Sequence, residues 1–426
     1  KTLGSGPQVF AVGMYFTVLI IPLFLLSQQE LAPSEDESSI SVITSAPPDA
    51  SLEYTSKYMR DVISTMHTLP STFRMWEIVQ PGGAFGGMEF LDFSEREKSV
   101  HEIFPEAFQK LKQVTGVKAF PSLGSALPTS GNFPVELVLM STDSAEDMLP
   151  YAEKIVAAAY KTGMFMFADT NLRIDLPQGR FQLDRERVAN AGMSLQDVTK
   201  QMGLLLSGNY VNRFDLEGKA YRVVPMVEKG SRSDPQALLD MKIRTPDGDL
   251  IPLANLATLE TKSAPRYLSK FQQKNAFRVY GGILPNATKE QALTALEEAA
   301  ADILPASYTI DYAGESRQIR QEGNTLIGVL GVALAFVFMV LAVQFNSFRD
   351  PLVVLLGSVP LAFSGAMLFT FVGWTTINIY SQVGFITLAG LIAKNAILIV
   401  EFANQLQVQG KDKLAAIKEA SIIRLR

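Results

Sequence analysis

Forty-three consecutive residues, Pro351 to Ala393, carry no charge. A soluble domain has no use for such a run. A membrane does: about 20 apolar residues in a helix cross a ~30 Å hydrocarbon core, so this stretch holds material for two spans. The polar turn Gly373-Trp374-Thr375-Thr376-Ile377-Asn378 separates them, and the second continues past Lys394 and Glu401 to about Phe402. Two further runs are uncharged, Thr2 to Gln29 and Gly323 to Phe348. The first is too long for a signal-peptide core, and Ser27-Gln28-Gln29 is a poor cleavage site, so it reads as a membrane helix. The predicted spans are 8–28, 324–347, 351–373 and 380–403, followed by a tail, 404–426.

The charges are gathered elsewhere. All but 12 of the 81 charged residues lie between Glu30 and Glu322, which makes that stretch as polar as a soluble domain. Orientation follows from positive charge. Lys411, Lys413, Lys418, Arg424 and Arg426 follow the last span, and Arg349 sits in the short loop 346–350, whereas 374–382 has neither Lys nor Arg. The tail, the short loop and the N-terminus therefore face the cytoplasm, and 30–322 lies outside it. The net charge of −5 argues against a nucleic-acid partner, because phosphate binding needs clustered Lys and Arg. With no cysteine, disulfides, thiolate catalysis and thiolate metal sites are excluded within this sequence.

Inside the large loop, apolar strands alternate with capped helices. Strands are expected at 39–45, 133–140, 277–283 and 308–312. Helices are expected after Asp49 or Ser51, after Ser144 and after Thr288. This rhythm predicts several α+β sandwiches of the ferredoxin-like type. A different block, 184–264, opens on a solvated Asp184-Arg185-Glu186-Arg187 face and a helix start at Ser194-Leu195-Gln196-Asp197. It also contains a Pro-Asp-Gly hairpin turn within 244–250.

Two constellations could carry function. Lys394 lies about mid-helix in the last span, where a charge costs ~2.5–3.5 kcal/mol on insertion scales, so it needs a counter-charge or water. Glu401 is two turns away, too far for a direct bond, so the partner is expected on another helix. The reading is a proton or ion relay; the alternative is a structural lysine. The second constellation is Pro81-Gly82-Gly83-Ala84-Phe85-Gly86-Gly87, flanked by Phe73, Trp76, Phe90 and Phe93. It reads as a mobile loop gating an apolar cleft. In the competing reading it is a plain connection and Phe90 and Phe93 are core. The spacing fits no phosphate loop, and His101-Glu102 lacks the second histidine of a zinc-protease helix. The methionines read as core filler, with a metal-binding cluster the weaker alternative.

Leu31-Ala-Pro-Ser-Glu-Asp36, Gly208-Asn-Tyr-Val-Asn-Arg-Phe214, Asp350-Pro351, Val359-Pro360-Leu361 and Gly390-Leu-Ile-Ala-Lys-Asn-Ala-Ile-Leu-Ile-Val-Glu-Phe402 together resemble the resistance-nodulation-division superfamily. More closely, they resemble the C-terminal half of the hydrophobe/amphiphile efflux pumps of Gram-negative inner membranes. The resemblance implies a membrane α-helical bundle plus periplasmic α+β ferredoxin-like (βαβ) porter subdomains with an inserted docking subdomain. The first porter subdomain would be 38–132, the second 133–183 with 265–322, and the docking insert 184–264. The spans would be the family's seventh to tenth.

For mechanism, the resemblance makes Lys394, with Asn395, the proton-coupling site, paired with two aspartates on a helix of the other half. It makes Pro81, Gly82, Gly83, Ala84, Gly86 and Gly87 the switch loop, shorter and with fewer aromatics than in the best-known members. Phe73, Trp76, Phe85, Phe90 and Phe120 would line the substrate pocket, Phe73 and Trp76 matching more loosely. No cofactor is implied, only a proton gradient. The implied partners are two further copies in a homotrimer, a periplasmic adaptor protein, an outer-membrane channel, the missing N-terminal half or a complementary chain, and small amphiphilic substrates. The expected function is export of amphiphilic drugs or toxic compounds across the Gram-negative envelope by a proton antiporter, not an enzyme. Two rivals stand beside it: a heavy-metal exporter of the same superfamily, resting on Met75 and Met88, and a membrane-tethered periplasmic assembly module that does not transport.

Overall fold

Each uncharged run becomes one or two helices. The computed structural model describes residues 5–206, 208–228, 234, 236–284, 286–322 and 325–424; Arg426 of the tail lies outside them. Among the described residues four helices are long and apolar enough to cross a membrane. They are α1 (Gly6–Leu26), α9 (Thr325–Phe345), α10 (Arg349–Phe371) and α11 (Ile379–Val408). Large apolar side chains such as Phe10, Leu25, Phe336 and Leu356 stay exposed on them, as suits surfaces meeting lipid or other apolar helices. Leu23, Met367 and Phe385 join α1, α10 and α11 in one buried cluster. At ~1.5 Å per residue the 30 residues of α11 run about 45 Å, longer than the bilayer core. A further helix, α12 (Lys413–Arg424), follows it.

The chain divides into two compact units. The larger, 1–172 with 268–426, holds the spans and two antiparallel sheets. Sheet one contains β1 (Ser39–Ser45), β2 (Thr72–Gln80), β3 (Gly83–Phe90) and β4 (Lys118–Ser122), in the order β2-β3-β1-β4. Helices α2 (Leu52–Met66) and α3 (Val100–Leu111) cover one face. Ser51 caps α2 by accepting from Tyr54 N, and Ser99 with Glu102 forms a capping box on α3. Period-two alternation sends Ile40, Val42, Ala84 and Met88 onto Met59, Val62, Ile103 and Ala107, all buried.

Sheet two centres on β5 (Val135–Ser141) and β14 (Lys274–Ile283), flanked by β6 (Phe165–Thr170), β13 (Lys270–Phe271) and β15 (Thr309–Tyr312). All of β5 is buried. Helices α4 (Ala145–Lys161) and α7 (Lys289–Ile303) start at Ser144 and Thr288, the caps expected from the sequence. Helix α8 (Gly314–Glu322) leads toward α9 and is tied to α7 by ion pairs. Lys289 bonds Glu315 at 2.6 Å, and Arg320 bonds Glu290 and Glu297.

The second unit, 173–267, contains β7 (Ile174–Leu183) paired with β12 (Ala257–Pro265). It also holds α5 (Arg185–Asn190), α6 (Leu195–Leu206) and the short pair β10 (Lys242–Arg244) and β11 (Leu250–Pro252). Its core is small: Val188, Val198, Ile243, Leu253 and Leu256. Arg266 donates twice to Asp175 and holds that carboxyl below the usual range. The hairpin β8 (Asn212–Leu216) and β9 (Lys219–Val223) is exposed along both strands.

Candidate functional site

The glycine-rich segment is not a mobile loop. Only Pro81 and Gly82 form a turn, with Gly82 at φ 83°, as Pro at i+1 and Gly at i+2 of a type II turn require. Gly83, Ala84, Phe85, Gly86 and Gly87 belong to β3, an inner strand paired with β2 and β1. The glycines serve close strand approach. A Cβ on Gly86 would stand 2.3 Å from the Trp76 carbonyl oxygen, and one on Gly83 would stand 2.6 Å from that of Thr44. Glycine density reads as flexibility in the sequence; strand spacing accounts for it.

The register then sorts the predicted aromatics. Ile78, Phe85, Ile43 and Phe120 stand in one cross-strand row on the face of sheet one away from its helices. Trp76 occupies the next row, opposite Gly87, and meets Phe85 edge to face at 5.5 Å. Trp76 and Phe85 are 43% and 45% exposed, so this is an open apolar face. Phe90 points the other way and is buried among the helices, so it is core and not part of the face. Phe73 sits at the register shift of β2, exposed, with the Arg74 guanidinium 5.7 Å from its ring. Phe93 is exposed beside Arg96 rather than buried as core.

Phe120 also marks the seam between the two sheets. Its ring stacks on Phe167 of β6 at 4.7 Å; Phe167 stacks on Phe108 of α3 at 5.9 Å and meets Phe133 edge-on at 5.6 Å. Phe133 in turn stacks on Tyr280 at 4.5 Å. The connection between the sheets is held by Glu136, whose Oε1 accepts from Asn132 N and Phe133 N.

A cavity of about 390 Å³ lies beside this seam. Its lining mixes apolar Phe104, Met166, Ile283 and Leu284 with His101 and the Lys289–Glu315 pair, and reaches Gln28 and Thr376 at the ends of the membrane helices. None of the five predicted aromatics lines it. Apart from His101, which the sequence offers only as an incomplete zinc motif, these residues leave no sequence signal because they come from separate segments with no shared spacing.

Met75 and Met88 oppose each other across β2 and β3, with Met88 fully buried and Met75 packed against the same helix-side core. Two thioethers locked in a core offer nothing to a metal ion in a cleft. Glu77 lies on this side too, opposite Gly86. Burial pushes its carboxyl pKa up, and its Oε2 meets no donor among the described residues.

In the membrane part, Lys394 is the sixteenth residue of α11, about 22 Å along it. Ala389 and Ala393 are buried against neighbouring helices, while Leu391, Lys394 and Asn395 are exposed. Lys394 forms no ion pair among the described residues, and Glu401 stands about 10 Å further along the axis. No described residue pairs with the lysine, and the helix face that carries it is exposed.

The model of the AcrB/AcrD/AcrF family matches residues 3–426. An uncharacterized transporter of Haemophilus influenzae is 32% identical over 98% of this chain and 41% of its own length. The multidrug/solvent efflux pump membrane transporter MepB of Pseudomonas putida is 27% identical over 98% of the chain and 40% of its own. The multidrug export protein AcrF of Escherichia coli is 26% identical, covering the whole chain and 43% of its own length. The chain thus spans about two fifths of the length of the relatives it matches. By sequence match and by its set of membrane helices and antiparallel sheets, it belongs to the AcrB/AcrD/AcrF family of the resistance-nodulation-division superfamily.

Proposed function

We propose that this chain is the C-terminal half of a proton-driven exporter of amphiphilic drugs or toxic compounds in a Gram-negative inner membrane. The carrying observation is Lys394, an intramembrane lysine on an exposed helix face with no ion-pair partner among the described residues. A charge at that depth is retained at cost, and the natural partner is a carboxylate on a helix of the other half. Protonation of that carboxylate would release Lys394 and shift helix packing, a two-state element biased by charge. Asn395, the next residue and likewise exposed, would hydrogen-bond within the pair.

The substrate surface is assigned to Trp76, Phe85 and Phe120 with Ile43 and Ile78, and to the adjoining cavity. Apolar area with few fixed polar groups binds amphiphiles through desolvation rather than shape. The strand–helix order of sheet one supports a ferredoxin-like porter subdomain at 38–132, and that of sheet two supports a second at 133–183 with 265–322. The separate unit around 184–264 is read as the docking subdomain, in the periplasm. A homotrimer is supported by the β8–β9 hairpin, whose Phe214, Leu216 and Tyr221 are exposed. Such a two-stranded ribbon is marginal alone and gains from a neighbour's surface. An adaptor protein and outer-membrane channel complete the proposed assembly. The metal-exporter reading loses its basis with Met75 and Met88 in the core.

The test is drug and detergent susceptibility of a transporter-deleted strain carrying the full-length gene with Trp76→Ala and Phe85→Ala together. Susceptibility near that of the deletion strain, with normal protein in the membrane, supports the assignment. Resistance equal to the parent removes the face from substrate handling.

A further inference from the structure

Residues 27–36, between α1 and β1, are bonded at both ends in a way that a passive linker does not need. At the membrane end, Ser27 Oγ lies 2.9 Å from Thr370 Oγ1 of α10. The segment then runs parallel to the turn before α11, with Gln29 opposite Ile377. Ile377 N donates to Gln28 O at 2.9 Å, and Glu30 N donates to Ile377 O at 3.1 Å. Ile379 N, the first amide of α11, donates to Leu31 O at 3.0 Å. That amide has no acceptor within its own helix, so the segment serves as part of the cap of α11, alongside Asn378. Two side-chain bonds add to it: Thr376 Oγ1 to Glu30 at 2.7 Å and Tyr380 OH to Glu35 at 3.1 Å.

At the far end Asp36 is nearly buried. It pairs with Arg96, whose side chain is 1% exposed, at 2.5 Å and accepts from Ser38 N and from Val100 N, the first residue of α3. Val100, Ile103, Ala107 and Leu111 then anchor α3 under sheet one with essentially no exposure. The start of α11 and the start of α3 are thus joined by one short segment, which contains Pro33.

We propose that 27–36 is a positioning strut that carries displacement of α11, the helix holding Lys394, directly to the first porter sheet. Thr376, Tyr380, Glu30 and Glu35 are its coupling residues. This rests on the proton-coupling reading of Lys394. A strut moves as a body with both elements, so the segment and the 376–380 turn stay together through the whole transport cycle.

The test uses the full-length transporter in proteoliposomes, free of other cysteines. Gln29→Cys with Ile377→Cys places thiols at opposed bridge positions, where Cα atoms stand about 5 Å apart, within disulfide range. The oxidised protein is expected to export at the parent rate. Tyr380→Phe with Glu35→Gln, neither of which lines the cavity, loosens the strut and is expected to lower the maximal export rate about tenfold with KM and thermal stability unchanged. Adding the disulfide to the loosened protein is expected to restore the rate, and reduction to abolish it again. Export stopped by the disulfide alone, or undiminished in the loosened protein, overturns the strut. Lys394→Met is run beside them: if it exports normally, the proton-coupling reading itself falls; if it fails while the loosened protein exports, only the strut falls.

Discussion

Replacing Phe167 by alanine should loosen the two sheets from each other. The ring is 3% exposed and contacts Phe108, Phe120 and Phe133. A buried phenylalanine removes about 150–250 Å² from water, which at ~25 cal/mol/Å² is about 4–6 kcal/mol. Phe→Ala changes in packed cores cost about 3–5 kcal/mol, so ~4 kcal/mol is the working figure. At 2–4 °C per kcal/mol for a part of this size, Tm should fall by about 8–16 °C. The assay is thermal unfolding of the purified full-length transporter with Trp76 as its one tryptophan, Trp374 and any other replaced by phenylalanine, so that the signal reports on sheet one. Phe85→Ala is the internal control. Its ring is 45% exposed on the same sheet, so its cost should stay near 1 kcal/mol or below. A Tm loss for Phe167→Ala no larger than for Phe85→Ala would refute the claim that this aromatic cluster joins the sheets.

Other outcomes follow from the same geometry. Gly86→Val puts a Cβ 2.3 Å from a backbone oxygen, so β2 and β3 must part. A loss of at least ~3 kcal/mol is expected, read as poor recovery of folded protein, whereas Gly82→Asn, at a turn with open space, should fold normally. Glu77 has a folded pKa raised by burial, so its ionisation opposes folding. Stability is then full below its unfolded pKa and declines as pH rises through the folded value, and Glu77→Gln should unfold at a higher temperature than the parent near pH 7.5 but not near pH 4. Asp175 behaves oppositely. Its pKa is held down mainly by the bond from Arg266, so that pair stabilises above the unfolded pKa and is lost as pH falls through the lower folded one. Amide exchange at the β7–β12 end should accelerate only below about pH 4.

Much of this architecture is legible in the sequence. The spans announce themselves because a bilayer tolerates so few charges. Strand β1 and the caps Ser51, Ser144 and Thr288 were placed because alternation and capping act within a few residues. Local signals misled where the deciding contact was distant. The glycines of β3 look like a loop until Trp76 and Thr44 are known to lie against them. Phe85 and Phe90 look equivalent in sequence, but an odd separation within one strand puts them on opposite faces. Helix α3, unpredicted, runs through Pro105, a residue that argues against helix locally and is outweighed by the burial of Val100, Ile103, Ala107 and Leu111. The cavity and the bonds of 27–36 join segments hundreds of residues apart and leave no local trace.

The most direct measurement is proton-driven export by the full-length transporter in proteoliposomes, comparing the parent with Lys394→Met under an imposed pH gradient. The account predicts that Lys394→Met assembles and binds substrate as the parent does but exports none in response to the gradient. Gradient-driven export at the parent rate would contradict it.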